Sequence, residues 1–310
     1  MISELTVGNS ITGEILYCTS KTSGVSKNGS TYYNVVLRDK SGQINGKIWD
    51  VSTTSEDIVA PCFLRVTGIV NSFNNENQLN IQNYNIIDES IVNIEDFCPI
   101  TPLDIDKLVE NLFNYIGSVK NEYLNKLLHQ LFDNETIKNK FKKSSAAKTV
   151  HHAYIGGLLE HTIAVTNICD MLAKQYPNIN RDLLITAAIC HDIGKIKEIT
   201  EFPINDYSDE GNLLGHIYLG AEMINNATRK IEGFPKSIAV ELKHCILAHH
   251  GGLEYGSPKV PALIEATALS FADDTDAKLR RFNDLLDTAG DSWSDKSDYF
   301  LGSRYRKTTL

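Results

Sequence analysis

The sequence predicts a multidomain fold, an all-β barrel followed by an all-α helical bundle, and three observations carry that prediction. The chain has 310 residues, 42% of them hydrophobic, which is long for one domain and natural for two. Up to about residue 88 it runs in short β-type segments separated by turns, whereas from Leu103 onward apolar residues recur at spacings of three and four. Between the two rhythms, residues 91–102 contain Pro99 and Pro102, which break any regular element. The expected layout is residues 1–90 for the β domain, 91–102 for a linker, 103–290 for the helical domain and 291–310 for a C-terminal tail.

Five β-type runs succeed one another, at residues 11–18, 31–38, 43–49, 63–73 and 78–87. Asp39-Lys40-Ser41-Gly42 and Asn74-Asn75-Glu76-Asn77 are hairpin closures, because Asp, Asn and Gly reach the backbone conformations that tight reversals need. Residues 51–60 form a short helix or loop between the third and fourth runs, and five strands with that insertion are the layout of a small Greek-key barrel. With Gly13 on the first run, Tyr32-Tyr33 on the second, Gly46-Lys47-Ile48-Trp49 on the third and Val66-Thr67-Gly68 on the fourth, the segment resembles an OB-fold of the nucleic-acid-binding type. In an RNA-binding role, Tyr32, Trp49 and Phe73 would offer flat faces to unpaired bases, with Lys47, Lys27, Arg38 and Arg65 near the phosphates. The competing reading makes these aromatics barrel core. Strand alternation cannot turn both Tyr32 and Tyr33 inward, so at least one faces out. Acidic groups outnumber basic ones in this half, so any grip is expected to be weak and salt-sensitive.

Helical spacing begins with Leu108, Leu112, Phe113 and Ile116 and continues through Leu124, Leu127, Leu128, Leu131 and Phe132. Residues 154–173 place His161 in a helix that follows Gly156-Gly157, and residues 181–193 make a second, apolar helix ending at His191-Asp192 before Gly194. His216 opens a helix over 217–227, His249 stands near the end of one over 242–250, and Asp273 follows the apolar run 264–272. The six positions His161, His191, Asp192, His216, His249 and Asp273 thus read as a metal site assembled from several helices. Imidazoles and carboxylates without a nearby thiolate suit borderline to hard divalent cations such as Mn, Fe, Co, Zn or Mg, and point to a catalytic centre rather than a Cys-rich structural zinc.

Composition excludes other classes. A net charge of −9 makes the chain no general trap for polyanions. No run of about eighteen apolar residues occurs, and Met1-Ile2-Ser3-Glu4-Leu5 lacks a signal-peptide pattern, so a cytoplasmic protein without a membrane partner is expected. Cys18, Cys62, Cys98, Cys169, Cys190 and Cys245 form no CxxC pair and lie mostly in apolar runs, as reduced, buried thiols do.

The order His, His-Asp, Asp resembles the HD-domain phosphohydrolase superfamily, with His161, His191, Asp192 and Asp273 at its ligand positions and His216 and His249 at those of its two-metal branch. The longer phrases around His151-His152, Gly156-Gly157, Glu160-His161-Thr162, His191-Asp192-Ile193-Gly194-Lys195, Leu214-Gly215-His216 and His249-His250-Gly251 are similar to the YhaM-type 3′→5′ exoribonucleases, which also carry an OB-type domain first. That resemblance implies a metal-dependent phosphodiesterase acting on single-stranded RNA, with single-stranded DNA a second candidate substrate, two bound cations with Mn foremost, and a homo-oligomer compatible with the sequence. Asp192 would bridge the cations about 3.5–4 Å apart, and a shared water would lose its proton near neutral pH. Lys195 holds a phosphate oxygen on this reading or is a surface lysine on the other, and His151, His152 and His250 are substrate contacts or structural.

Glu160 and Glu198 are candidates for orienting a ligating imidazole through its other nitrogen. Glu254, Gly256 and Ser257 would shape a substrate entrance, and Lys278, Arg280, Arg281, Arg304, Arg306 and Lys307 would line an RNA path or form a solvated face. An alternative gives the same centre a small substrate, a nucleotide, alarmone or cyclic dinucleotide. Cyclic-dinucleotide hydrolases carry Gly-Tyr-Pro after the double His, whereas this chain has Tyr255-Gly256-Ser257-Pro258, which counts against them.

Overall fold

A computed structural model describes the chain apart from residues 27, 50, 52–56, 75, 149–151, 289–292, 295, 296, 299–301, 309 and 310. Contacts divide it into two compact units, one built on Met1–Pro99 and the other on Ile100–Glu201 with Asn205–Leu310.

The first unit is a closed five-stranded barrel of β1 (Ser10–Val25), β2 (Thr31–Asp39), β3 (Gly42–Ile48), β4 (Cys62–Phe73) and β5 (Glu76–Ile87), in the order β1-β2-β3-β5-β4. All neighbours are antiparallel except β3 and β5. β1 is twice as long as the run read from sequence. It pairs with β4 over Ser10 to Cys18 and with β2 over Tyr17 to Val25, and a register shift between Cys18 and Ser20 bends it from one partner to the other. The expectation of a helix or loop over 51–60 falls partly outside the described residues; 57–59 carry no regular element. Inward-facing Leu16, Val35, Leu37, Ile44, Ile48, Leu64, Val66, Val70, Leu79 and Ile81 fill the barrel.

The second unit is helical: α1 (Ile105–Ser118), α2 (Glu122–Phe132), α3 (Glu135–Lys143), α4 (Gly157–Gln175), α5 (Arg181–Cys190), α6 (Lys195–Glu198), α7 (Asp209–Thr228), α8 (Lys236–Ala248) and α9 (Ile264–Thr288). Asp104, Asn121, Asn134, Asn180 and Ser208 each accept a backbone N–H of the helix that follows, which fixes where α1, α2, α3, α5 and α7 start. α1 buries Leu108, Leu112 and Ile116, one residue per turn, each worth about 1.5–3 kcal/mol of apolar burial. α5 is buried all round from Leu183 to Cys190, so it runs through the middle of the bundle and carries whatever follows it into the interior.

α8 starts before the helix read at 242–250, and α7 starts before His216. Within α7, Gly215 has φ 73° and ψ 156°, a conformation an L residue adopts only under strain, so the helix breaks there and restarts at His216. Among the described residues no helix is long and apolar enough to cross a membrane.

Candidate metal centre and nucleic-acid face

The metal-site candidates enter the interior of the second unit by three local devices. His191 and His249 follow the last residues of α5 and α8, where the final carbonyls lack helical partners. Each imidazole donates Nδ1–H to the carbonyl three residues back, His191 to Ala188 at 2.8 Å and His249 to Ile246 at 2.7 Å, which leaves Nε2 pointing onward. His216 begins the restarted half of α7, and Glu198 at the end of α6 takes both its backbone N–H (2.9 Å) and its Nδ1–H (3.0 Å). His161 sits mid-helix on α4, where Asp276 of α9 accepts its Nδ1–H at 2.7 Å.

Four imidazoles from four helices therefore present Nε2 to one place, and the carboxylates complete it. His161 Nε2 lies 3.2 Å from His191 Nε2, 3.1 Å from Asp273 Oδ1 and 3.5 Å from Asp192 Oδ2. On the other side of Asp192, its Oδ1 lies 3.5 Å from His216 Nε2 and 3.6 Å from His249 Nε2. These last three atoms are buried with no hydrogen-bond partner among the described residues. Buried acceptors facing one another without partners are costly unless something positive lies between them. The donor set, all N and O with no thiolate, fits one or two divalent cations, with Asp192 reaching both groups of ligands. His250 joins His216 and His249 in a third close group, its Nδ1–H held by the Tyr255 carbonyl at 3.0 Å.

Electrostatics point the same way. Burial alone would push the Asp192 carboxyl up, yet the Lys195 ammonium 2.7 Å away, with His191 and His216, holds it well below the usual carboxylate range. Burial is likewise outweighed at Asp273 by His161 and His191, and at Asp276 by His152 and His161, so both stay ionised. For His161, burial works against a charge, but Asp273 and Asp276 push the imidazole up to about 10. Burial, with His250 and His191 nearby, drives His249 well below its usual value, so it is a neutral donor. Asp192, Asp273, Asp276 and Glu198 thus bring four carboxylates into one interior against the Lys195 ammonium and the His161 imidazole, which leaves negative charge in excess.

Several sequence expectations need revision. Glu160 does not orient a ligating imidazole. It neighbours His161 in sequence and so projects to a different side of α4, where it accepts from Thr101, Tyr154 (2.9 Å) and Arg280 (3.0 Å). That pair also engages Arg280, as Asp298 does Arg281 (2.6 Å), whereas Lys278 stays half-exposed beside Asp274 (2.8 Å), as either an RNA path or a solvated face would have it. Arg304 donates to the Ser294 carbonyl, and Arg306 lies over the Trp293 ring. His152 is buried, and both ring nitrogens are engaged, by Tyr154 at 2.8 Å and Asp276 at 3.2 Å. His151 and Lys27 lie outside the described residues. In the loop after the double His, Gly256 turns the chain with φ 88° and Ser257 is buried. Asp276 was not singled out from sequence, although its place one turn after Asp273 on α9 puts both on one helix face.

On the barrel, Tyr33 pairs with Ile48 and leans on the core, so Tyr32 faces outward opposite Trp49. The two rings lie 5.4 Å apart with Lys47 Nζ over both, at 4.2 and 4.0 Å, and Trp49 is 50% exposed. Phe73 is exposed as well but does not join them. It closes the β4–β5 hairpin opposite Glu76, whereas Ile48, next to Trp49, pairs with Ile81, about 15–20 Å further along β5.

Comparison with known proteins follows both halves. Residues 10–87 match the OB-fold nucleic acid binding domain and residues 158–278 the HD domain. The 3'-5' exoribonuclease YhaM of Bacillus subtilis (strain 168) is 32% identical over 276 residues, spanning 88% of this chain and 87% of its own. The chain belongs to the YhaM exoribonuclease family. A second YhaM 3'-5' exoribonuclease, from Bacillus velezensis, is 34% identical over 262 residues, 84% of this chain and 82% of that one. The chain is accordingly an enzyme of the hydrolase class, with the OB-fold ahead of the HD domain that the YhaM-type resemblance implied. A solved second OB-fold domain of replication protein A from Methanococcus maripaludis aligns with 30% of this chain and 97% of its own, at 23% identity and a TM-score of 0.23.

Proposed function

We propose that this protein removes nucleotides from the 3′ end of single-stranded RNA by metal-dependent hydrolysis in the cytoplasm. The observation that carries the proposal is the pair of Nε2 atoms of His216 and His249 left without partners around Asp192 Oδ1, beside the crowded His161, His191 and Asp273 set. His161, His191, Asp192 and Asp273 would hold one divalent cation, and Asp192, His216 and His249 a second, Mn(II) being the first candidate for this N/O donor set. Such cations would supply a hydroxide at neutral pH and, together with Lys195, a counter-charge for the phosphoryl oxygens.

The chain's own groups do the positioning. Glu198 and the Ala188 and Ile246 carbonyls hold three imidazoles in the tautomer that frees Nε2. Lys195 keeps an ammonium at the edge of the site, where it can take a phosphate oxygen when cations relieve it of Asp192. His250, against His216 and His249, is a further phosphate or metal contact. The Tyr32–Lys47–Trp49 face supplies grip on unpaired bases, with stacking that reads a ring face rather than a sugar, so single-stranded DNA fits it too.

The test is shortening of 5′-labelled single-stranded RNA by the purified protein with Mn(II). A ladder that recedes from the 3′ end, stops on chelation and is absent in Asp192→Ala is the expected result. Undiminished cleavage by chelator-treated Asp192→Ala protein would overturn the reading.

A further inference from the structure

We propose that Asp276, backed by His152, is the positioning residue that sets the aim and tautomer of His161 and thereby the cation affinity of the His161, His191 and Asp273 set. This rests on the metal reading above and adds a residue to it. Asp276 Oδ2 lies 2.7 Å from His161 Nδ1, and a carboxylate oxygen facing an imidazole nitrogen at that distance is the acceptor, so His161 carries a proton on Nδ1. With Nδ1 so engaged, Nε2 is the nitrogen turned toward His191 and Asp273, the one a cation would take in place of a proton. The opposite tautomer would put a proton into the space the cation needs.

His152 holds Asp276 from behind. Its Nε2 lies 3.2 Å from the same carboxylate oxygen, while Tyr154 takes the other ring nitrogen at 2.8 Å. The residue is 2% exposed and its backbone sits at φ 58°, a left-handed conformation that costs a non-glycine residue free energy. Gly157 allows the close approach, since a Cβ there would meet the His152 carbonyl oxygen at 2.1 Å. The string His152, Asp276, His161 is therefore built from three separate segments, and it ends on a nitrogen aimed at the centre.

The test is titration of the metal-stripped full-length protein with Mn(II), following free ion by electron paramagnetic resonance. Asp276→Asn keeps the side chain's size but can present an amide donor to His161. Its Mn(II) affinity is expected to fall about 10- to 100-fold with the number of ions bound unchanged and the metal-stripped unfolding midpoint within a few degrees of wild type. His152→Gln, which retains a donor toward Asp276, is expected to lose less affinity than Asp276→Asn, and it serves as the second variant if Asp276→Asn does not fold. Unchanged affinity in both variants overturns the inference. Loss of one whole ion equivalent in Asp276→Asn also overturns it, by making Asp276 a ligand instead. A wild-type protein that binds no Mn(II) overturns the metal reading itself, and this inference with it.

Discussion

Lys195 and the cations proposed here would compete for one carboxylate. Its ammonium lies 2.7 Å from Asp192 Oδ2, the oxygen that also faces His161 and His191. Burial opposes its charge, but Asp192 raises its proton affinity above the usual lysine value. Replacing the ammonium by an amide should therefore separate binding from chemistry. In Lys195→Gln, turnover on RNA is expected to drop about 10²-fold, the scale of losing one donor to a developing negative charge. Mn(II) affinity should stay level or rise, because a competitor for Asp192 has gone. Parallel titration and single-turnover measurements check this, and a joint loss of both would mean that Lys195 holds the site together rather than the substrate. The histidines show what residue-level reading can reach. That His161, His191, His216 and His249 belong together follows from their order and spacing. Which nitrogen each presents follows from partners such as Glu198 and the Ala188 carbonyl, and those are set by helix ends that meet only in the fold.

At the scale of elements, α6 and α7 approach so closely that a side chain between them has no room. A Cβ on Gly194 would stand 2.0 Å from the His216 carbonyl oxygen and 2.6 Å from the Gly220 nitrogen. Gly194→Ala is therefore expected to cost about 1–3 kcal/mol, read as a lowered calorimetric midpoint, and to displace His216 from the centre. The φ of Gly194 is −62°, so the effect is one of space and not of backbone strain.

α4 and α5 are tied by a different device. Asp170 takes Arg181 Nε at 2.7 Å and Lys174 Nζ at 2.6 Å, and these cations outweigh its burial to hold the carboxyl below its usual value. A lowered folded value means the contribution is present above the unfolded carboxylate value, about 3.9, and is lost as pH falls through the folded one. Asp170→Asn should accordingly be less stable than wild type at pH 7, and the gap in unfolding midpoint should close as the pH is taken below about 4. A gap independent of pH would show that packing, and not charge, is what Asp170 supplies.

For the whole molecule, the expected division of labour is grip on the barrel and chemistry in the helical unit. Trp49→Ala removes a half-exposed ring from the Tyr32–Lys47–Trp49 face and should weaken binding of long single-stranded RNA by about 1–3 kcal/mol. Cleavage of a dinucleotide should be unaffected, because a substrate that short leaves no strand for the barrel to hold. Binding measured by fluorescence anisotropy should be weak and fall with salt, with a slope set by the few phosphates that the local cations of a chain of net charge −9 can hold. Equal losses on long and short substrates would remove the barrel from this role.

By itself the sequence determined the two rhythms, the strands from residue 31 onward, and the His and Asp series, because periodicity and turn chemistry are local and survive in one dimension. Only the tertiary structure decided that Asp276 stands behind His161, that Arg280 is spent on Glu160, that Phe73 lies apart from Trp49, and that β1 bends at Cys18 to serve two neighbours. Each of those depends on how elements distant in sequence pack and register against one another, and residue spacing carries no measure of that.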